Sequence, residues 1–415
     1  MLPYVRVPTI KLENYQGVIS DELFDEVKIL AKELKGLKVT FVNSTPRGGG
    51  VTEILKSLVG LMLGIGLKTE WHIIPPGRKF FGLTKELHNA LQGKEFSLSF
   101  KARRLYQHHM ERSAELMLDM ESNVWIINDP QPAGVIHYLP NFHPSVAHFH
   151  IDTSHPNKDT WNFIEPILLA YDKIIFSAKE FVASTLPKRK IKIFAPAIDP
   201  LSDKNKPLSL QTAKTILESF GIDPTKPLVT QVSRFDPWKD PMGVIQAYYL
   251  AKNKIPNLQL ALVGLFLAFD DSEAMRIFKQ VKKHAGGDPD IFMFSDPQEL
   301  GSLKVDIFVN AFQVGSDVIL QKSIREGFGL TVAEAMWKEK PVIGGNVGGI
   351  KIQIKNGENG FLVSSPQETA KRIVQIIKNP ALAEKMGKNA HQTVKEKFLM
   401  PRLLRDYLKL FKELV

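Results

Sequence analysis

The chain has 415 residues, 44% hydrophobic and 24% charged, an ordinary globular composition and more chain than one hydrophobic core usually serves, so two domains are expected. It has no cysteine, which excludes disulfides, thiolate metal sites and cysteine nucleophiles and favours a cytoplasmic location. The formal net charge of +10 points to anionic partners, but no array of basic and aromatic residues marks a nucleic-acid binder, and the most apolar run, Ile54 to Leu67, is interrupted by Lys56 and Ser57 and too short to span a bilayer.

Asp21 to Lys35 carries helical spacing and stops at Gly36. Lys38 to Ser44 reads as a strand that runs into Pro46-Arg47-Gly48-Gly49-Gly50 and then the apolar helix Val51 to Leu63. Strand, glycine turn and helix open a Rossmann-like unit, although the spacing is not G-x-G-x-x-G. The glycines alone fit a flexible loop as well as a phosphate cradle. Further strands are predicted at Val124 to Asn128, Ala147 to Ile151, Lys173 to Phe176 and Ile191 to Ala195, with segments of crossover length between them, which is the alternation of a parallel α/β sheet.

The polar, proline-bearing stretch Pro196 to Pro207 marks a boundary, after which the pattern restarts. Strands are predicted at Leu228 to Val232, Leu258 to Val263, Ile291 to Phe294, Val305 to Val309 and Pro341 to Ile343, with helices at Pro241 to Lys252 and Ser272 to His284. The tail from Pro366 reads as amphipathic helices broken at Pro380 and Pro401, the last of which, Arg402 to Leu414, is expected to cross back to the first domain. The expected fold is therefore α/β, two Rossmann-like doubly wound domains facing a central cleft: 1–196 with the helix at 402–415, and 197–401.

Candidate chemistry gathers where strands end. Arg234 and Lys239 follow a strand and could converge on a diphosphate, or could pair with Asp236 and Asp240 in a solvated loop. Glu326 and Glu334 straddle the turn Gly327-Phe328-Gly329 and a helix start at Leu330 and Thr331. A carboxylate suits vicinal diols, yet Thr331-x-x-Glu334 also has the form of a capping box. His148 and His150 share a strand face with Asp152 beyond. Zinc lacks a third ligand there, and donation to a sugar hydroxyl fits better. Asp270-Asp271 and Asp288-Pro289-Asp290 are explained by turn chemistry rather than metal binding.

Taken together, Glu326-x7-Glu334, Arg234, Lys239 and the loop Gly48-Gly49-Gly50 resemble a retaining glycosyltransferase of the two-domain GT-B class, family 4. Asn128 to Gly134, His148 to Asp152 and Gln321 to Gly329 narrow the resemblance to the trehalose synthase and trehalose phosphorylase branch across essentially the whole chain. The phosphorylase pattern carries Arg where this chain has His148, and both enzymes stay open.

The resemblance implies that Glu326 binds the donor sugar near its 3-hydroxyl and Glu334 the ribose. It assigns the backbone from Gly327 through Phe328, Gly329 and Leu330 to Thr331 to hydroxyls and phosphate. Arg234 and Lys239 would neutralise the leaving diphosphate, the glycine loop would cover phosphates, and His150 would bond the sugar near its 6-hydroxyl. Asp129, Gln131 and Asp152 would serve the acceptor.

The implied reaction passes glucose from UDP- or ADP-glucose to glucose, giving α,α-trehalose reversibly after domain closure. Phosphorolysis of trehalose and transfer to another acceptor are the enzymatic alternatives, and a basic lipid- or nucleic-acid-binding protein is the non-enzymatic one. No cofactor or protein-bound metal is implied, Mg2+ entering only with the nucleotide. The partners are the nucleotide sugar, glucose and trehalose, with no membrane or nucleic acid, and a homodimer is compatible.

Overall fold

The computed structural model describes residues 1–139, 141–265 and 272–415, without the side chains of 272 and 273. Asp270 and Asp271 lie outside the described residues. The chain divides into two compact units, Met1–Ala197 with Met400–Val415, and Ile198–Leu399.

The first unit is built on strands β1 (Lys38–Asn43), β2 (Lys68–Ile73), β3 (Val124–Asn128), β4 (Ser145–Phe149), β5 (Lys173–Phe176) and β6 (Ile191–Ile193), with helices α1 (Asp21–Glu33), α2 (Gly50–Gly64), α3 (Arg78–Leu91), α4 (Phe100–Glu115) and α5 (Lys158–Ala170). The second has β7 (Leu228–Val232), β8 (Gln259–Val263), β9 (Ile291–Phe294), β10 (Val318–Gln321), β11 (Val342–Gly345) and β12 (Phe361–Val363), with α6 (Leu210–Ser219), α7 (Pro241–Lys252), α8 (Ser272–His284), α9 (Val305–Gly315), α10 (Leu330–Trp337), α11 (Ile350–Gln353), α12 (Pro366–Ile377) and α13 (Pro380–Lys397). Helix α14 (Met400–Leu414) returns to the first unit.

Both sheets are parallel, with strand orders β2-β1-β3-β4-β5-β6 and β12-β11-β10-β7-β8-β9. Central strands such as β3 and β7 are buried along their whole length, as a sheet covered by helices on both faces requires. In the second unit one core gathers Val244, Tyr248, Leu260, Leu320 and Ile373. The other gathers Leu217, Leu228, Val263, Phe308 and Phe312.

Each order reverses direction at one place, between β1 and β3 in the first unit and between β7 and β10 in the second. Loops leaving the carboxyl ends of strands on either side of such a reversal diverge, and the crevice left between them is where open α/β sheets bind ligands.

Helix α14 is held to its own unit by several contacts. It packs on α1 and α2, Arg402 donates to the carbonyls of Ala195 (2.5 Å) and Pro196 (3.3 Å), and Glu413 accepts from Lys173 and Lys192. The break expected at Pro401 falls between Lys397, the end of α13, and Met400, the start of α14. Pro401 occupies the first turn of α14, where the missing N–H has no intrahelical duty.

A correction concerns Val305 to Val309, predicted as a strand and observed as the start of α9. The strand is Val318–Gln321, whose run is too short to show alternation. Strands β2 and β12 are likewise absent from the sequence reading. No helix among the described residues is long and apolar enough to cross a membrane.

Candidate active site

In the second unit the switch point is lined by the loop after β7, residues 233–240, and the loop after β10, residues 322–329. A glutamine at each strand end organises these loops, Gln231 by tying one to the other and Gln321 by bracing the second. Gln231 donates to the Lys239 carbonyl (3.0 Å) and accepts the Lys322 backbone N–H (3.0 Å). Gln321 donates to Glu326 (3.3 Å) and accepts from the Thr331 hydroxyl (3.1 Å). The Ile324 backbone N–H donates to the Trp238 carbonyl, 2.8 Å. The Arg325 guanidinium stacks over the Trp238 ring at 4.4 Å.

This wiring brings Lys239 Nζ to 2.5 Å from Glu326 Oε2, with the Ser323 hydroxyl also donating to that oxygen at 3.0 Å. The pair is half-sheltered, with side-chain exposures of 18% for Lys239 and 10% for Glu326. A carboxylate held by an ammonium, a hydroxyl and an amide on one oxygen keeps its second oxygen in a defined direction, which suits bonding to a sugar hydroxyl.

Arg234 is placed differently. Its side chain is 70% exposed and pairs with Asp236 at 3.2 Å, as the solvated-loop alternative expects. Asp240 does not pair with Lys239. It receives Lys322 and caps α7 by accepting the Gly243 N–H at 3.0 Å.

Glu326 is followed by Gly327, buried Phe328 and Gly329, which adopts φ +82° as the N-cap of α10. A glycine cap offers no side-chain acceptor, so the first N–H groups of α10 receive no side-chain cap, and the helix dipole favours a negative group there. The loop lies flush on the end of β11 and the segment after it. A Cβ on Gly345 would strike the Ser323 carbonyl, one on Gly348 the Glu326 carbonyl and one on Gly349 the Gly327 carbonyl.

The capping box expected at Thr331-x-x-Glu334 is not formed. Helix α10 begins at Leu330, which puts Thr331 inside the helix, where its hydroxyl bonds Gln321. Glu334 is 2% exposed. It accepts from Gln313 Nε2 at 3.2 Å and lies 3.7 Å from Lys204 Nζ. Gln313, Lys204 and Lys338 were not singled out in the sequence, because nothing local distinguishes them from surface or core residues.

In the first unit, the loop after β1 carries Gly48 and Gly49 at φ +76° and +80°, with Gly49 as the uncapped N-cap of α2 and Gly50 its first residue. Asp129, at φ +66° just past β3, accepts the His150 backbone N–H at 2.9 Å. Strand β4 ends at Phe149, two residues short of the expected end, which leaves His150 and Ile151 beyond it.

The His148 and His150 rings stack with centroids 3.8 Å apart. Burial, and secondarily the neighbouring His150, push His148 well below the usual histidine range. Burial also lowers His150, against the pull of Asp129. Asn128 Nδ2 donates to the Val42 carbonyl (3.3 Å), which turns Oδ1 to His150 Nε2 (3.2 Å). His150 therefore carries its proton on Nε2 and keeps Nδ1 as an acceptor, which corrects the expected donation to a sugar hydroxyl, because Asn128 takes that proton. His148 Nδ1 meets the Tyr407 hydroxyl of α14 at 2.6 Å.

Asp152 is engaged locally, accepting the Ser154 N–H and hydroxyl at 2.9 and 2.6 Å. Gln131 presents a buried Oε1 with no partner among the described residues, and His148 Nε2 is in the same state. Such an orphan costs about 1–3 kcal/mol unless another group satisfies it.

No three metal-ligating side chains come together among the described residues. Asp288 and Asp290, rather than standing open for a metal, both bond Lys252 at 2.9 Å.

Residues 41–183 match the family described as "Trehalose synthase, N-terminal domain", and residues 213–393 match "Glycosyl transferases group 1". The trehalose synthase of Thermococcus litoralis is 43% identical over 96% of both chains. The trehalose phosphorylase of Pleurotus pulmonarius is 28% identical over 93% of this chain and 58% of its own. Among solved structures, Anabaena HepE in complex with UDP-glucose shares the fold with a TM-score of 0.69 at 18% identity, covering 91% of this chain and 100% of that one. With two parallel Rossmann-like units and 43% identity to a trehalose synthase across nearly its whole length, the chain belongs to the trehalose synthase family and is a glycosyltransferase of GT-B fold.

Proposed function

We propose that this enzyme transfers glucose from UDP- or ADP-glucose to the anomeric hydroxyl of free glucose, with retention, forming α,α-trehalose and a nucleoside diphosphate, reversibly. The observation that carries the reading is the Lys239–Glu326 pair beside the glycine-capped start of α10, at the strand-order reversal of the second unit. Glu326 would take the 3-hydroxyl of the donor sugar, and N–H groups from Gly327 to Thr331 would take hydroxyls and phosphate. Lys239 would neutralise the diphosphate as its charge develops, an interaction stronger in the transition state than in the ground state. Arg234, exposed and paired with Asp236, would turn from it to add a second cation. Glu334 would meet the ribose.

The donor C1–O bond to phosphate breaks as the acceptor oxygen bonds to C1 on the same face, and the acceptor proton passes to the leaving phosphate. No nucleophile of the protein is used, and no protein-bound metal, since cationic side chains do the neutralising. Within the first unit, Gly48 to Gly50 would meet phosphate. His150 would accept from the 6-hydroxyl through Nδ1. Asp129, Asp152 and the orphan acceptor of Gln131 would bind acceptor glucose. The partners on this reading are small molecules, and the reaction is placed in the cytoplasm, in keeping with a chain without cysteine.

Phosphorolysis is the second reading, supported by the phosphorylase relative. Incubation of the purified protein with trehalose plus UDP, ADP or inorganic phosphate separates the two. The proposal expects a nucleotide sugar and glucose with a nucleoside diphosphate. Glucose 1-phosphate formed only with phosphate would overturn it.

A further inference from the structure

We infer that Gln313 and Lys338 are positioning residues that aim the Glu334 carboxylate at the donor ribose and so set a preference for ribonucleotides over deoxyribonucleotides. The inference rests on the donor reading above, in which Glu334 meets the ribose.

Lys338 stands at the C-terminal cap of α10, one turn beyond Glu334. Its ammonium donates to Asn205 Oδ1 (2.9 Å), Gln313 Oε1 (2.8 Å) and the Glu334 carbonyl (3.2 Å), three acceptors for three protons. While it carries its proton, below pH about 7, Lys338 has no lone pair to offer, so it decides which end of the Gln313 amide faces it. The oxygen turns to Lys338, and the nitrogen must turn to Glu334 Oε2, 3.2 Å away. The reversed amide would set NH2 against an ammonium and oxygen against a carboxylate.

Gln313 is fully buried on α9 and Glu334 nearly so, and neither can find a substitute partner in water. With Oε2 pinned, the carboxylate keeps one rotamer. The other oxygen, Oε1, faces Lys204 Nζ at 3.7 Å, beyond hydrogen-bond length, and is the atom we assign to a ribose hydroxyl.

The test is calorimetric binding below pH about 7, where Lys338 keeps its proton, of UDP, ADP and their 2′-deoxy and 3′-deoxy counterparts to wild type, Lys338→Met, Gln313→Met and Glu334→Gln. Wild type is expected to favour the ribonucleotide by on the order of tenfold or more, a lost hydrogen bond to a charged group. Lys338→Met and Gln313→Met are each expected to cut that ratio to within about threefold, raising KM for the nucleotide sugar more than they lower kcat. A wild-type ratio in either variant, with cooperative unfolding retained, overturns the inference. Should Lys338→Met fail to fold, Gln313→Met decides. Glu334→Gln is expected to lose the ratio by itself, and if it does not, the ribose role of Glu334 is what fails.

Discussion

At the scale of single residues, Lys239 and Glu326 are mutually dependent, because each neutralises the other in a half-sheltered place. Lys239→Met leaves a carboxylate without its cation, which is predicted to lower stability by about 1–3 kcal/mol as well as turnover by about a hundredfold or more. Adding Glu326→Gln is predicted to restore the stability and not the turnover. Denaturant melts beside initial rates check both arms, and a double variant no more stable than Lys239→Met would contradict the pairing.

Lys338 supplies a pH signature. Burial pushes its ammonium down to about 7, against the pull of Glu334 and with that of Lys204. In the unfolded chain a lysine titrates near about 10.4. Between those values the unfolded state binds the proton and the folded state does not, so stability rises with pH from about 7 to about 10 through this residue. Lys340, also lowered by burial, acts in the same direction. Lys338→Met is therefore predicted to flatten the rise rather than abolish it, as measured by urea denaturation across that range.

Among elements, the loop from Ser323 to Gly329 owes its position to glycines on its neighbour rather than to its own residues. A Cβ on Gly349 would overlap the Gly327 carbonyl, and the Gly349 N–H donates to the Glu326 carbonyl at 3.0 Å. Gly349→Ala must push the loop away, at about 1–3 kcal/mol for an overpacked site, and shift Glu326 with it. The prediction is weaker binding of a nucleoside diphosphate by at least about tenfold in a protein that still folds. Unchanged affinity by calorimetry would show that the loop does not set donor binding.

For the whole molecule, α14 belongs to the first unit although it follows the second in sequence. Tyr407, Leu408 and Phe411 are fully buried, Tyr407 bonds His148, and Glu26 and Glu33 on α1 pair with Lys409 and Lys412. Deleting residues 400–415 would expose that apolar surface at roughly 1.5–3 kcal/mol per large side chain. The predicted outcome is loss of the first unit's thermal transition while the second unit's persists. Scanning calorimetry of the truncated chain, with one intact cooperative transition for both units, would refute it.

The sequence by itself determined what local pattern carries: the restarted α/β alternation, both glycine turns, several strands to the residue, such as Val124–Asn128 and Leu228–Val232, and the spacing from Glu326 to Glu334. Hydrophobic period and glycine placement act over a few residues, so they are legible without a fold. Val305 to Val309 misled because a short apolar run fits a buried helix as well as a strand, and only the neighbours choose. Tertiary structure alone decided the partners. Lys239 meets Glu326 from 87 residues away, Lys322 rather than Lys239 takes Asp240, Glu334 is claimed by Gln313 and Lys204 instead of a helix cap, and Tyr407 reaches His148 across 259 residues. Which charge answers which depends on where strands side by side in a sheet release their loops, and that order is not written in any local stretch of chain.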